Sequence, residues 1–164
     1  MKIDSFIEEA SWEQVDRIVS FLSDMQVELE EFTLDRDVAK NAVRSAMQEN
    51  VQWFLFKDEK GDPFGTCYLQ SVHNYWRKGR RFYLGAFYIS PPYRKKGRFK
   101  KINALLKKWA TAHDGVQIYA HIHKDNAKAL ATFASVDVTP INYVLCANHW
   151  GDGGPHGTTV KGGK

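Results

Sequence analysis

The spacing of apolar and polar positions divides the chain into short elements. Ile3, Phe6 and Ile7 predict a first strand over 3–9. Ser11 followed by Gln14 has the spacing of a capping box. Behind it Trp12, Val15, Ile18, Val19, Leu22, Met25 and Leu29 recur at helical spacing, which predicts a helix over about 12–30. A second helix over about 35–49 is expected to bury Val38, Ala42, Val43, Ala46 and Met47. Residues 51–56 and 64–72 read as a hairpin around the turn signal Lys60-Gly61-Asp62-Pro63. Residues 82–89 are nearly all apolar, the pattern of a central strand covered on both faces, and Pro91 and Pro92 stop it. From about Gly97 to His113 the helical period returns, with Phe99, Ile102, Leu105, Leu106, Trp109 and Ala110 on one face. Residues 116–122 read as a strand, Asp125 as the cap of a short helix through Ala134, and 136–146 as a last strand broken by Pro140.

The order β-α-α-β-β-β-α-β-α-β predicts one α/β (α+β) domain over 1–148. The remainder, 149–164, includes six glycines between Gly151 and Lys164 and is too poor in apolar groups to pack alone, so it is expected to be flexible. A chain of 164 residues with 43% apolar and 13% aromatic content can bury a core without disulfides or metals. Cys67 and Cys146 lie far apart with no ligand spacing around them and read as reduced thiols. No apolar run approaches the ~18–20 residues of a bilayer span. Met1 to Ser5 lacks the basic-then-apolar pattern of a secretion signal, so the cytoplasm is expected.

The net charge of +4 hides an asymmetry. Residues 1–62 carry 15 acids and 7 bases, whereas 63–113 carry 12 bases and no acid. Much of that basic charge follows the apolar strand: Phe87-Tyr88-Ile89-Ser90-Pro91-Pro92-Tyr93-Arg94-Lys95-Lys96-Gly97-Arg98-Phe99. A helix N-terminus leaves backbone N–H groups unpaired and carries partial positive charge, so a diphosphate there satisfies both. Gly97 allows close backbone approach, and Arg94, Lys95, Lys96, Arg98 and Lys100 add charge around it.

The stretch 88–97 resembles the acetyl-CoA signature of the GNAT superfamily of N-acetyltransferases, where a strand and a Pro-containing turn lead into Arg/Gln-x-x-Gly-x-Gly/Ala at a helix start. Asn126-Ala127-Lys128-Ala129-Leu130-Ala131-Thr132-Phe133 is similar to the second family motif, Asn-x-x-Ala-x-x-x-Tyr/Phe. The resemblance covers 3–146. It implies a mixed, mostly antiparallel sheet flanked by helices and splayed between 82–89 and 116–122, with acetyl-CoA or CoA as the bound cofactor. Backbone at Phe87, Tyr88 and Ile89 would pair with the pantetheine arm. The N–H groups of about Lys95 to Lys100 would hold the pyrophosphate. Asn126 would contact the cofactor, and Phe133 would lie near the thioester. The chain departs from the family pattern in three places. Phe99 stands where the second Gly or Ala is usual, Phe133 where a tyrosine is common, and Tyr83 and Gly85 where a glutamate base is frequent.

The implied reaction is attack of a neutral amine on the thioester, which needs a base for the amine proton. Tyr83 is a candidate relay, and His121, with an ordinary pKa of about 6.5, a candidate base. No metal-ligand spacing is present, and no metal is expected. In the family the region between the first two helices walls the acceptor side. Here Glu28 to Asp37 holds five acids and one base, so Glu28, Glu30 and Glu31 are expected to attract a cationic small-molecule or peptide amine. The cluster Arg77 to Arg81, with Tyr75 and Trp76 nearby, is not explained by a diphosphate. It leaves open a catalytically weakened binding module whose basic segment 77–101 contacts nucleic acid or an acidic partner.

Overall fold

Trp53, Phe54, Leu55 and Phe56 are all buried, so the strand they form carries apolar side chains on both faces and requires cover on both. That requirement organises the molecule. The computed structural model describes residues 2–29, 33–76 and 78–141. Its sheet runs in sequence order: β1 (Lys2–Asp4), β2 (Ile7–Glu9), β3 (Val51–Lys57), β4 (Pro63–His73), β5 (Arg80–Ile89) and β6 (Gly115–Tyr119). All neighbours are antiparallel except β5 and β6, which are parallel. One face is covered by α1 (Val15–Leu29) and α2 (Arg36–Gln48); the other lies under α3 (Arg98–Ala112), which links β5 to β6. α4 (Ala127–Ala134) follows β6.

Two cores result. Phe54, Phe56, Phe64, Leu69, Phe82 and Leu84 pack with Ile102, Leu106 and Trp109 of α3. Trp53, Leu55 and Tyr88 pack with Val15, Ile18, Val19 and Phe21 of α1 and Ala39 and Val43 of α2. Cys67 is fully buried, which pushes its thiol well above the ordinary value. Cys146 lies outside the described residues.

The mixed, mostly antiparallel architecture matches the sequence expectation, and several local readings are corrected. The first strand is two short strands with a turn at 5–6. On α2 the buried positions are Ala39 and Val43, while Val38 is 65% exposed and Ala42 is also outside the core. Positions 39, 43, 46 and 47 form one complete helical stripe, whereas Val38 and Ala42 flank it. Asn126 rather than Asp125 caps α4, its Oδ1 accepting the N–H of Ala129 at 2.9 Å. Residues 136–141 form no strand, and the rest of the predicted strand 136–146 lies outside the described residues.

One irregularity shapes the functional end. Thr66 pairs with Tyr88 and Tyr68 with Gly85, so Ala86 and Phe87 together oppose Cys67. This β-bulge gives Ala86 a φ of 48° and bends β5. The β5–β6 ladder ends at Tyr83–Tyr119, and β6 stops there instead of continuing to 122. Residues 84–89 and 120–126 therefore part, leaving an opening in the sheet.

Candidate functional site

β5 runs into a 3-10 turn at Pro91–Tyr93, where Tyr93 N–H donates to Ser90 O at 2.9 Å. The next residues, Lys95, Lys96 and Gly97, have φ of 69°, 53° and 70°. For the two lysines this left-handed backbone costs about 1–2 kcal/mol each. Such a run turns successive N–H groups into a concave anion-binding surface. α3 begins directly after it, so the first-turn amides join the same surface. The N–H groups of Lys96, Gly97, Phe99 and Lys100 donate to no acceptor among the described residues. A β-carbon at Gly97 would meet nothing within 4 Å, so the turn is open on that side.

The surroundings hold this turn in place. Arg98 donates to Tyr93 O at 2.8 Å, the Tyr93 hydroxyl donates to Asp58 at 2.9 Å, and the Tyr93 ring stacks on Phe64 at 4.7 Å. Burial works against the Asp58 charge, but the bonds from Tyr93, Asp62 and Lys60 outweigh it and hold the carboxyl below its usual value.

Arg94 points away from the turn. Its Nε donates to Ile89 O at 2.7 Å, and one terminal nitrogen reaches both carboxylate oxygens of Glu28 at 2.7 Å. The Tyr88 hydroxyl donates to the same carboxylate at 2.8 Å. Burial alone would raise the Glu28 carboxyl; the bonds from Arg94 and Tyr88 bring it below the ordinary range. Tyr88 is pushed up to about 12 by burial and then by Glu28. Glu28 thus ties the end of α1 to the basic turn, while Glu30 and Glu31 lie outside the described residues.

Phe99, the substituted glycine position, turns its ring into the core, 5.2 Å from Phe87 and 4.9 Å from Phe133. The turn is therefore not narrowed by it. Phe133 is buried in the same cluster. Asn126 is exposed and uses its carbonyl oxygen as the α4 cap.

Tyr83 and His121, far apart in sequence, lie 4.8 Å apart between ring centroids at the point where the strands part. Tyr83 is half-buried and its phenol is raised by burial and by Tyr119; His121 is exposed. Arg81 lies 4.7 Å above the Tyr119 ring and donates to Gln117 at 2.8 Å. Sequence reasoning missed Tyr68, which joins this group from β4, 6.0 Å from Tyr83 and 5.0 Å from Trp53. Only the pairing register across the hairpin could have placed it there. Among the described residues no helix is long and apolar enough to cross a membrane, and no cluster of His, Cys, Asp and Glu could hold a metal.

Residues 12–136 match the model described as the Acetyltransferase (GNAT) family. The chain belongs to that family. No curated protein matches the sequence of this GNAT chain. Solved structures do. A possible acetyltransferase from Clostridium difficile 630 superposes with a TM-score of 0.79 at 21% identity, covering 88% of this chain and 96% of that one. An aminoglycoside acetyltransferase from an uncultured soil metagenomic sample, in complex with sisomicin, gives 0.71 at 16% identity, covering 91% and 99%. The aminoglycoside 6'-N-acetyltransferase of Acinetobacter baumannii gives 0.70 at 13%, covering 88% and 98%. At these identities the likeness is one of fold, and the family membership rests on the motif-bearing span.

Proposed function

We propose that this GNAT protein transfers an acetyl group from acetyl-CoA to a primary amine by direct attack of the amine. The observation that carries the reading is the run of left-handed residues Lys95, Lys96 and Gly97 opening α3 with free N–H groups beside the parted strands. Acetyl-CoA, the general acyl donor of the family, supplies the acetyl group as an activated thioester. The amides and side chains of Lys95, Lys96, Arg98 and Lys100 hold the pyrophosphate, and backbone at Phe87 to Ile89 holds the pantetheine arm. Asn126 and Phe133 border the same opening. Arg94 acts as a brace from α1 to this turn and leaves phosphate contact to its neighbours.

Tyr83 and His121 take the amine proton, and the acid stretch with Glu28, Glu30 and Glu31 draws a cationic acceptor toward the cleft. The aminoglycoside acetyltransferases among the fold neighbours act on polycationic amines, in keeping with that acceptor class. The deciding experiment adds millimolar acetyl-CoA and CoA to purified protein and records melting temperature and binding heat. A ligand selective for the native state at about 100 times its Kd stabilises by ~2.7 kcal/mol, a clear rise. No rise and no heat overturn the reading.

A second reading is supported by a separate feature. At the other end of β5, Tyr75 and Trp76 are 86% and 92% exposed, next to Lys78 and Arg80. Flat rings beside cations suit single-stranded nucleic acid, with bases stacked and phosphates paired. Titration of the protein with a short single-stranded oligonucleotide at low salt tests it. The reading requires saturable binding that Trp76→Ala weakens.

A further inference from the structure

The left-handed run Lys95, Lys96 and Gly97 lies between two arginines, and each reaches back to a backbone carbonyl. Arg98 donates to Tyr93 O at 2.8 Å, and Arg94 donates through Nε to Ile89 O at 2.7 Å. The second carbonyl has a particular place. Ser90 N–H donates to Phe64 O at 2.9 Å, so by the alternation of an antiparallel ladder Ile89 turns its C=O away from β4. It faces the edge of β5 from which β6 has parted. Arg94 therefore closes the end of that open edge and holds the start of the strained run at the same time. Only Arg94 carries a further tie. Its Nη2 donates to both oxygens of Glu28 at 2.7 Å, and the Tyr88 hydroxyl donates to Oε1 of the same carboxylate at 2.8 Å. The guanidinium also lies 5.5 Å from the centre of the Tyr88 ring, and that ring packs 6.1 Å from Phe21 of α1.

We infer that Glu28 is a positioning residue for the cofactor: its carboxylate holds Arg94 on Ile89 O, and so keeps the turn at 95–97 in the shape that binds a diphosphate. This rests on the acetyl-transfer reading above. It moves Glu28 from the acceptor side to the cofactor side and leaves the attraction of an ammonium to the acids that follow it.

Two physical effects of Glu28 oppose each other here. Its field is adverse to an anionic ligand. With that charge removed, Arg94 and Lys128 of α4, whose charges act on the same carboxylate, would be less compensated. By field alone an anion would then bind more tightly. Its hydrogen bonds act the other way. A run of non-glycine residues in left-handed backbone persists only where its surroundings over-determine it. A looser turn offers the binding shape for a smaller fraction of the time, and apparent affinity falls by that fraction. Positioning and field thus predict changes of opposite sign from one substitution.

The test is calorimetric titration of the full chain with acetyl-CoA, paired with steady-state kinetics. Glu28→Gln keeps the length of the side chain and removes the charge and one strong acceptor. Its Kd for acetyl-CoA should rise about three- to fivefold, with KM for acetyl-CoA rising in parallel and kcat within about twofold of wild type. Arg94→Lys keeps the cation but lacks the planar fork that spans Ile89 O and Glu28, and it should weaken binding by a similar factor. The two substitutions together should weaken binding no more than the stronger single one, because they remove one shared contact. A merely structural loss would lower the number of binding sites per chain and leave Kd unmoved. Arg94→Lys gives the answer where Glu28→Gln does not fold. An unchanged or tighter Kd in Glu28→Gln, wild-type affinity in Arg94→Lys, or full additivity overturns the inference while cofactor binding stands. Wild-type protein that binds no acetyl-CoA overturns the acetyl-transfer reading and this inference together.

Discussion

At Gly97 a β-carbon would meet no atom within 4 Å, so a substitution there acts through the backbone angle, φ 70°, and through the space above the turn. Gly97→Val should cost about 1–2 kcal/mol of stability from the left-handed conformation. It should also abolish the rise in melting temperature with acetyl-CoA, because a branched side chain occupies the approach of the pyrophosphate. Calorimetry with and without acetyl-CoA separates the two effects. Glu28 gives a pH-dependent prediction. Its carboxyl in the folded chain lies below the value of 4.5 it has when unperturbed, so its stabilisation is full at neutral pH and is lost as pH falls through the folded value. Both side chains of the pair are about a third exposed, which limits the interaction to below ~1 kcal/mol. Glu28→Gln should therefore unfold at slightly lower urea than wild type at neutral pH, and the gap should close as pH falls below 4.5 and on through the lower folded value. The turn at 91–97 was legible in the sequence because its glycine, prolines and cations are contiguous. The Glu28–Arg94 pair and the Tyr68–Gly85 contact were not, since each joins residues that only tertiary docking or strand register brings together.

Among the elements, α3 bears on both structure and proposed site: its first turn presents the unpaired amides, and its buried side anchors it to the sheet. Leu106, on the side of α3 that packs on the Phe-rich strands, is 1% exposed, so Leu106→Ala should destabilise by about 2–5 kcal/mol through lost burial and a cavity. Because α3 presents the free amides as a rigid unit, acetyl-CoA should still raise the melting temperature of that variant, from a lower baseline. Loss of the rise would mean that the turn depends on core packing well away from it. The elements that the sequence predicts well are those with a repeated pattern over several turns or a full strand: α1, α3 and β3 to β5. The weaker readings fail for physical reasons. α2 offered two adjacent apolar stripes, and the fuller one, containing Ala39 and Val43, was buried. β6 has apolar residues through Ile122, but the bulge at Ala86 and Phe87 draws β5 away and removes its hydrogen-bonding partner beyond Tyr119. A bulge has no periodic signature, so the opening it helps create came from the family resemblance rather than from the pattern of residues.

Across the whole molecule, charge is separated by sequence and partly by structure. The basic turn at 94–98 and the cations Lys78 and Arg80 sit at opposite ends of β5, and exposed Lys100, Lys101, Lys107 and Lys108 run along α3 between them. The acid-rich first third contributes Glu28 at the turn end of the sheet, where it is already paired with Arg94. An approaching ammonium must share that carboxylate or use the acids that follow it in sequence, so long-range attraction rather than one fixed ion pair should govern acceptor preference. Such attraction weakens over a Debye length of about 10 Å at 0.1 M salt and much less in dilute buffer. Polyamines, aminoglycosides, basic peptides, neutral amines and acidic amines are therefore compared as acceptors at low and high ionic strength. Cationic acceptors should show the highest kcat/KM at low salt, and their advantage over neutral amines should shrink as salt rises, mainly through KM. Glu30→Gln combined with Glu31→Gln should remove part of that advantage and leave the acetyl-CoA melting shift intact. Equal use of neutral or acidic acceptors, with no salt dependence, would leave the acid stretch as solvated charge at a helix end and place acceptor selection with the aromatic group around Tyr83 instead.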